Sequence, residues 1–157
     1  MPDDAEPVSA LLDRSYPALW AGLYDADLLE AVRPLVTRAN PALLASGTFF
    51  VAVSDRGMVV GCGGWTHEAP GTGALTTGTG HIRHFATDPL WLRRGIGAAM
   101  LRRCIDEARA AGLESLLADS ARGAERFYAA FGFEAQEESA PVIGGHVLPG
   151  TLMRLVL

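Results

Sequence analysis

The sequence predicts a mixed α/β domain, a central mixed sheet with helices on its faces, and three observations predict it. The first quarter of the chain is patterned for helices. Two β-branched and aromatic runs around "DRG" then read as a hairpin. From there strand and helix patterns alternate until two closing strands. The 157 residues are 49% hydrophobic and 20% charged, enough for one packed core, and positions 1–157 read as a single domain.

The elements follow in order. Leu11, Leu12, Tyr16, Leu19, Trp20 and Leu23 fall at helical spacing. A second helix from about Asp25 carries Leu28, Leu29, Val32, Leu35 and Val36 on one stripe. Asp25 or Asp27 can cap its start, and Pro34 is expected to kink or shorten it. Pro41 and Gly47 punctuate a short helical turn. "TFFVAVSD" and "MVVGCGGW" form the hairpin, turning at Asp55-Arg56-Gly57. "EAPGTGALTTGTG" is a loop by composition, and "HIRHFAT" is the next strand. A helix from about Arg94 to Ala111 puts Ile96, Met100, Cys104 and Ala108 on one face, and Gly112 ends it. "LESLLAD" reads as a buried strand. A helix from Ala121 to Ala130 follows, with Ala124, Phe127, Tyr128 and Phe131 on one stripe. "GFEAQ" and "GTLMRLVL" close the sheet.

Composition excludes several functions. A net charge of -5 and a pI near 5.3 argue against a nucleic-acid binder, which needs a broad basic face. No apolar stretch is long enough to span a bilayer, and the acidic start "MPDDAEPVSA" lacks a signal peptide's basic and apolar regions, so a cytoplasmic location without membrane contact is expected. Cys62 and Cys104 show no metal-ligand spacing and read as small buried residues. All 13 basic residues are Arg. Without lysine, neither a P-loop nor a Schiff base is available.

The chemistry begins at "HFATDPLWLRRGIGAAM", residues 84 to 100. A helix N-terminus offers unpaired N–H groups and partial positive charge, and glycines at 95 and 97 let the backbone approach a phosphate. Arg93 and Arg94 add charge. A strand-to-helix turn without ligand is the plain alternative. A dinucleotide fingerprint fits poorly, since its third glycine position is Met100, although Asp119 does close the next strand.

Two motifs in sequence resemble the GCN5-related N-acetyltransferase (GNAT) family. "HIRHFATDPLWLRRGIGAAML" is similar to the family's Gln/Arg-x-x-Gly-x-Gly/Ala acetyl-CoA signature, and "AERFYAAFGF" to its Ala-x-x-x-Tyr-x-x-x-Gly-Phe segment. They span about residues 81 to 133 in the family's order, and "VVGCGGW" resembles the preceding strand. Leu92 stands where the signature has Gln or Arg, a departure expected to cost little because the turn works through backbone N–H groups. The strand that usually opens the family fold is absent or very short here, which leaves a sheet edge for a loop or partner subunit to cover.

The resemblance implies a GNAT-like fold with a mostly antiparallel sheet. It implies an acetyl-CoA-dependent N-acetyltransferase acting on a primary amine of a small molecule or protein, with a homodimer as the common arrangement. A non-catalytic acyl-CoA-binding or regulatory module on the same fold is the alternative. The backbone at Arg93, Arg94, Gly95, Ile96, Gly97 and Ala98 would hold the cofactor pyrophosphate, and Phe85, Ala86 and Thr87 the pantetheine arm. Ser120 resembles the family's pantetheine contact, with helix capping as its local alternative. Tyr128 stands at the position of the acid that protonates the thiolate; its alternative is packing with Phe127 and Phe131. His81 matches a position where some members carry the amine's base. His84 would face away in a regular strand, unless a bulge intervenes. His67 and Glu68 are further candidate bases. Trp65, Trp20 and Tyr24 are candidates for an acceptor pocket, and the loop from 69 to 80 for a gate.

Overall fold

The computed structural model describes residues 2–157. After a 3-10 turn at Pro2–Asp4, helix α1 (Ala5–Trp20) buries Val8, Leu11, Leu12 and Ser15. It stops three residues before Leu23, which is exposed rather than on the helical stripe, because Gly22 turns the chain at a φ of 78°. Helix α2 (Ala26–Val36) has Asp25 at its N-cap position, but no side-chain cap bond forms there. Pro34 sits in its last turn, and the helix ends two residues later. Helix α3 (Pro41–Leu44) is capped by Asn40, whose side chain accepts from the Ala42 N–H at 2.9 Å.

Strands β1 (Phe49–Val53) and β2 (Val59–Thr66) form the expected antiparallel hairpin. Strand β3 (Thr79–Thr87) begins two residues before the predicted run. Helix α4 (Ile96–Ala110) starts at Ile96 rather than Arg94, because Arg93 and Gly95 both have left-handed φ and cannot enter a right-handed helix. Strand β4 (Ser115–Ala121) extends past the predicted stop at Asp119. Helix α5 (Glu125–Ala129) is correspondingly shorter than the predicted 121–130, since Gly123 turns the chain first with a φ of 88°. Strand β5 (Glu134–Ser139) follows. A ribbon of β6 (Val142–Ile143) and β7 (His146–Val147), which the sequence reading did not include, precedes β8 (Gly150–Val156).

The six-stranded sheet runs β1-β2-β3-β4-β8-β5, and β6-β7 stand apart. Only the β3–β4 pair is parallel, so the sheet is mixed and mostly antiparallel. The first strand described is β1, and it forms one edge of the sheet. One face packs on α4 and α5 through Trp65, Ile82, Leu101, Cys104, Leu116 and Phe133. The other packs on α1 through Val8, Leu11, Leu12, Cys62 and Ala86. Each Val, Leu, Ile or Phe among them taken fully from water contributes about 1.5–3 kcal/mol. Gly61 is needed for the first layer, because a Cβ there would come within 2.6 Å of Ile96 Cγ2 on α4. Both cysteines are buried and free, and burial raises each thiol pKa to about 12. No described helix is long and apolar enough to cross a membrane.

Candidate active site

The site arises where the two parallel strands separate. Their pairing covers only Thr79–His81 against Ser115–Leu117. Beyond that point β3 turns to α1 and β4 follows β8, leaving a cleft of about 850 Å³. Its walls include Arg83, His84 and Phe85 from β3, Asp119 and Ser120 from β4, and Tyr128 from α5.

Strand β3 presents an ordered edge to this cleft. The Asp88 N–H donates to Val60 O at 2.8 Å, so antiparallel alternation turns the backbone of Ala86 toward β2 and that of Phe85 and Thr87 away from it. Three consecutive α1 residues hold that side. Arg14 pairs with Asp88 at 3.0 Å, Ser15 Oγ donates to Thr87 O at 3.0 Å, and Tyr16 Oη donates to Phe85 O at 3.3 Å.

A bulge sets which side chains face which way. On β2 one residue separates Cys62 from Gly64, while on β3 two separate Ala86 from Arg83. His84 has a φ of 47°, rare for a non-glycine residue, and its carbonyl accepts from the Cys62 thiol at 3.2 Å. The extra residue turns Ala86 into the α1 core and Phe85 toward α5. Gly63 makes room, since a Cβ there would lie 2.5 Å from the Phe85 ring. His84, facing away in a regular strand, borders the cleft instead. Burial, then the Arg83 charge, lowers its pKa to about 4.

At the far end of β3, Asp88 accepts from the Leu90 N–H at 2.9 Å and starts the glycine turn. Arg93 (φ 62°) and Gly95 (φ 77°) flank Arg94, whose φ is not positive, an alternation that gathers N–H groups into an anion-binding concavity. Helix α4 has no side-chain cap, so the N–H groups of Ile96, Gly97 and Ala98 point out of its first turn. A Cβ at Gly95 would meet nothing within 4 Å, and one at Gly97 would lie 3.4 Å from the Phe127 ring. The Arg94 guanidinium rests 4.6 Å from the Trp91 ring centroid, and Arg93 is exposed. These residues suit a pyrophosphate.

Tyr128 is buried, stacked edgewise on Phe127 (5.2 Å) and Phe133 (5.4 Å). Its pKa is raised by burial and then by Cys104, so the phenol stays protonated. It therefore packs on the aromatic stripe and borders the cleft at once. Ser120 does not cap a helix: it lies inside β4, buried, and its hydroxyl donates to Ala121 O at 3.1 Å. His81 stands at the closed end, paired with Thr66 and Leu117. Burial, then Arg83, lowers its pKa against an opposing pull from Asp119, and its buried Nε2 has no hydrogen-bond partner among the described residues.

On the α1 and α2 side the cleft widens into a room walled by Trp20, Leu23, Tyr24, Val36, Ile143 and Leu148. Pro70, Gly71 and Thr72 border it, so part of the predicted gating loop does reach the site. The Tyr24 hydroxyl donates to Pro149 O (2.6 Å) and accepts from the Arg122 N–H (2.8 Å), tying β8 to the end of β4. Trp65 is not part of this room. It pairs with Ile82 on the opposite face, in the core under α4. Tyr16, read only as part of a helical stripe, also lines the cleft and stacks on Trp20 at 4.5 Å. Its i, i+4 spacing from Trp20 on the same helix was the available signal.

Residues 6–133 match the family model described as the acetyltransferase (GNAT) family. No curated protein matches the chain. Among solved structures, it is similar to a GCN5-related N-acetyltransferase (named aminotransferase, class-II) from Rhodopseudomonas palustris, with TM-score 0.81, 25% identity and coverage of 100% of this chain and 92% of the other. It is also similar to the PaiA N-acetyltransferase from Thermoplasma acidophilum, solved in complex with coenzyme A, with TM-score 0.74, 13% identity and coverage of 99% and 94%. A GNAT family acetyltransferase from Brucella melitensis in complex with acetyl-CoA gives TM-score 0.59, 18% identity and coverage of 100% and 84%.

Proposed function

This chain belongs to the GNAT acetyltransferase family, and on that premise we propose that it transfers the acetyl group of acetyl-CoA to a primary amine. The observation that carries the reading is the cleft between β3 and β4 with Tyr128 on its wall, together with the glycine turn that follows β3 and leads into α4. Acetyl-CoA supplies an activated acyl carbon as a thioester; the chain's own residues do the rest.

The N–H groups of Ile96, Gly97 and Ala98, with the concavity at Arg93 to Gly95, bind the pyrophosphate, and the two arginines add charge. The cleft-side backbone of Phe85 and Thr87 binds the pantetheine arm, opposite Ser120. Ala86 shapes this edge by filling the core behind it. A cleft-side N–H of β3 donates to the thioester oxygen as negative charge develops there. The amine nitrogen gives up one proton on forming the amide, and the departing sulfur takes one. His81, held neutral at physiological pH, accepts the first through water. Tyr128 donates the second, and because its pKa is raised, that transfer accompanies departure of the sulfur.

Thermal unfolding and CoA release test this together. Saturating acetyl-CoA is expected to stabilise the protein, by about 2.7 kcal/mol at a hundred times Kd. Tyr128→Phe is expected to keep that stabilisation and lose roughly 100-fold in kcat. No stabilisation by acetyl-CoA or CoA would sink the reading. Stabilisation with no CoA release against any amine would leave a non-catalytic acyl-CoA-binding module.

A further inference from the structure

Resting on that reading, the structure assigns the acceptor a chemical class: we infer that it is a free amino acid with an apolar side chain, bound as a zwitterion between Arg83 and Asp119. These residues stand on the two lips of the cleft. His81 and Leu117 are the last paired residues of β3 and β4, and Arg83 and Asp119 lie two positions further along each strand, on the same face. Both line the cleft. They carry opposite charges and do not pair, since neither takes part in any ion pair within 4.0 Å among the described residues.

Arg83 is unlike the chain's other engaged arginines. Arg14, Arg33, Arg103 and Arg109 each meet a carboxylate, and three of those four pairs lie with both partners substantially in solvent. Arg83 is half-buried, and its one side-chain bond is donated from Nη1 to Thr66 Oγ1 at 3.0 Å. The remaining N–H groups of its fork keep the geometry that matches a carboxylate. The Glu68 carboxylate acts on this guanidinium without an ion pair within 4.0 Å, so a half-buried fork whose one side-chain bond is to a neutral hydroxyl still gains from an anion in contact. Asp119, exposed on the other lip, offers the complementary charge to an ammonium.

An amino acid carries these two charges a few bonds apart. With its carboxylate on Arg83 and its ammonium toward Asp119, its side chain faces the room of Trp20, Tyr24, Val36 and Leu148. Before attack the ammonium releases one proton to solvent water, and the resulting neutral amine then follows the proton path given above. That room is apolar and aromatic, so it favours leucine-, methionine- or phenylalanine-like groups over charged ones. Polyamines and lysine side chains would leave Arg83 without its anion.

The test follows CoA release with L-phenylalanine, L-leucine and L-methionine against phenethylamine, isopentylamine, the amino-acid amides, spermidine and a lysine-containing peptide. The free amino acids are expected to exceed their matched amines at least tenfold in kcat/KM. Arg83→Gln should raise the amino-acid KM by roughly 10- to 100-fold, the loss of a charge-assisted bond. It should leave kcat within a few-fold, and the KM values for phenethylamine and acetyl-CoA unchanged. Arg83→Lys, which keeps the charge without the fork, should fall between. Matched amines that serve as well as the acids, or an Arg83→Gln effect equal on both, would overturn the inference. So would CoA-saturated protein that binds neither L-phenylalanine nor N-acetyl-L-phenylalanine by calorimetry. Stabilisation by acetyl-CoA, measured alongside, reports separately on the parent reading.

Discussion

The glycine turn and the cleft's wide acceptor end are built from different materials. The turn is backbone: N–H groups of Ile96, Gly97 and Ala98, shaped by left-handed φ at Arg93 and Gly95. It comes from one short stretch of chain. The acceptor end is side chains, drawn from α1, α2, the 70–72 loop, β3, β4 and the segment from 139 to 150. A backbone site tolerates substitution wherever φ is preserved, because the binding groups belong to every residue. A side-chain site changes character with each substitution. One end suits a constant ligand and the other a ligand that differs between relatives.

The largest expected effect lies between the two ends, at the β3 bulge. His84 has a folded pKa of about 4 against an ordinary value of 6.5. Between these values the unfolded chain binds the proton and the folded one does not, so stability is full above pH 6.5 and falls as pH drops toward 4. At about 1.4 kcal/mol per unit this amounts to roughly 2 kcal/mol by pH 5 and on the order of 3 by pH 4. Burial of His81 adds in the same direction. Urea unfolding at pH 7 and pH 5 measures it, and His84→Asn, tolerated at positive φ, should flatten the profile. A stability unchanged between those pH values would break the assignment of a buried neutral imidazole.

Next in size, Trp20→Ala removes a wall of the acceptor room. Loss of about 2 kcal/mol of apolar contact should raise acceptor KM about 30-fold. If acetyl-CoA KM rose equally, the two ends would not be separable. Smallest is Gly95→Val. Its Cβ meets nothing, so the cost is φ strain of roughly 1–2 kcal/mol, read as about a tenfold rise in acetyl-CoA KM. Leu92→Ala, three residues before that φ-critical glycine, should leave this KM unchanged, which sharpens the contrast between backbone and side chain.

The same difference decides how much of the site could be read from sequence. The turn was legible because its geometry is local: Gly95 and Gly97 declare the backbone they permit. Tyr128 and the Gly132-Phe133 corner stood out only through the resemblance of "AERFYAAFGF" to the family's segment, since their spacing alone reads as a packed stripe. The bulge was not, because it depends on Gly63 of the neighbouring strand making way for Phe85. Trp65 and Trp20 look alike in sequence. Cross-strand pairing sends one into the α4 core, and the end of α1 delivers the other to the cleft. The β6-β7 ribbon did leave a signal, Gly144-Gly145 between Val142-Ile143 and His146-Val147, both glycines at positive φ. Its strands of two residues are too short to show alternation. The two charged lips were invisible because Arg83 and Asp119 come to one cleft only where two strands stop pairing.

Helix α1 has a role in both ends. Residues 14 to 16 fasten it to Asp88, Thr87 and Phe85 of the cofactor strand, while Trp20, one turn on, walls the acceptor room. Both sets of contacts sit on this one helix, with Pro17 between them. One helix thus carries both loads, so a shift of α1 as a body would be felt at β3 and at the room together.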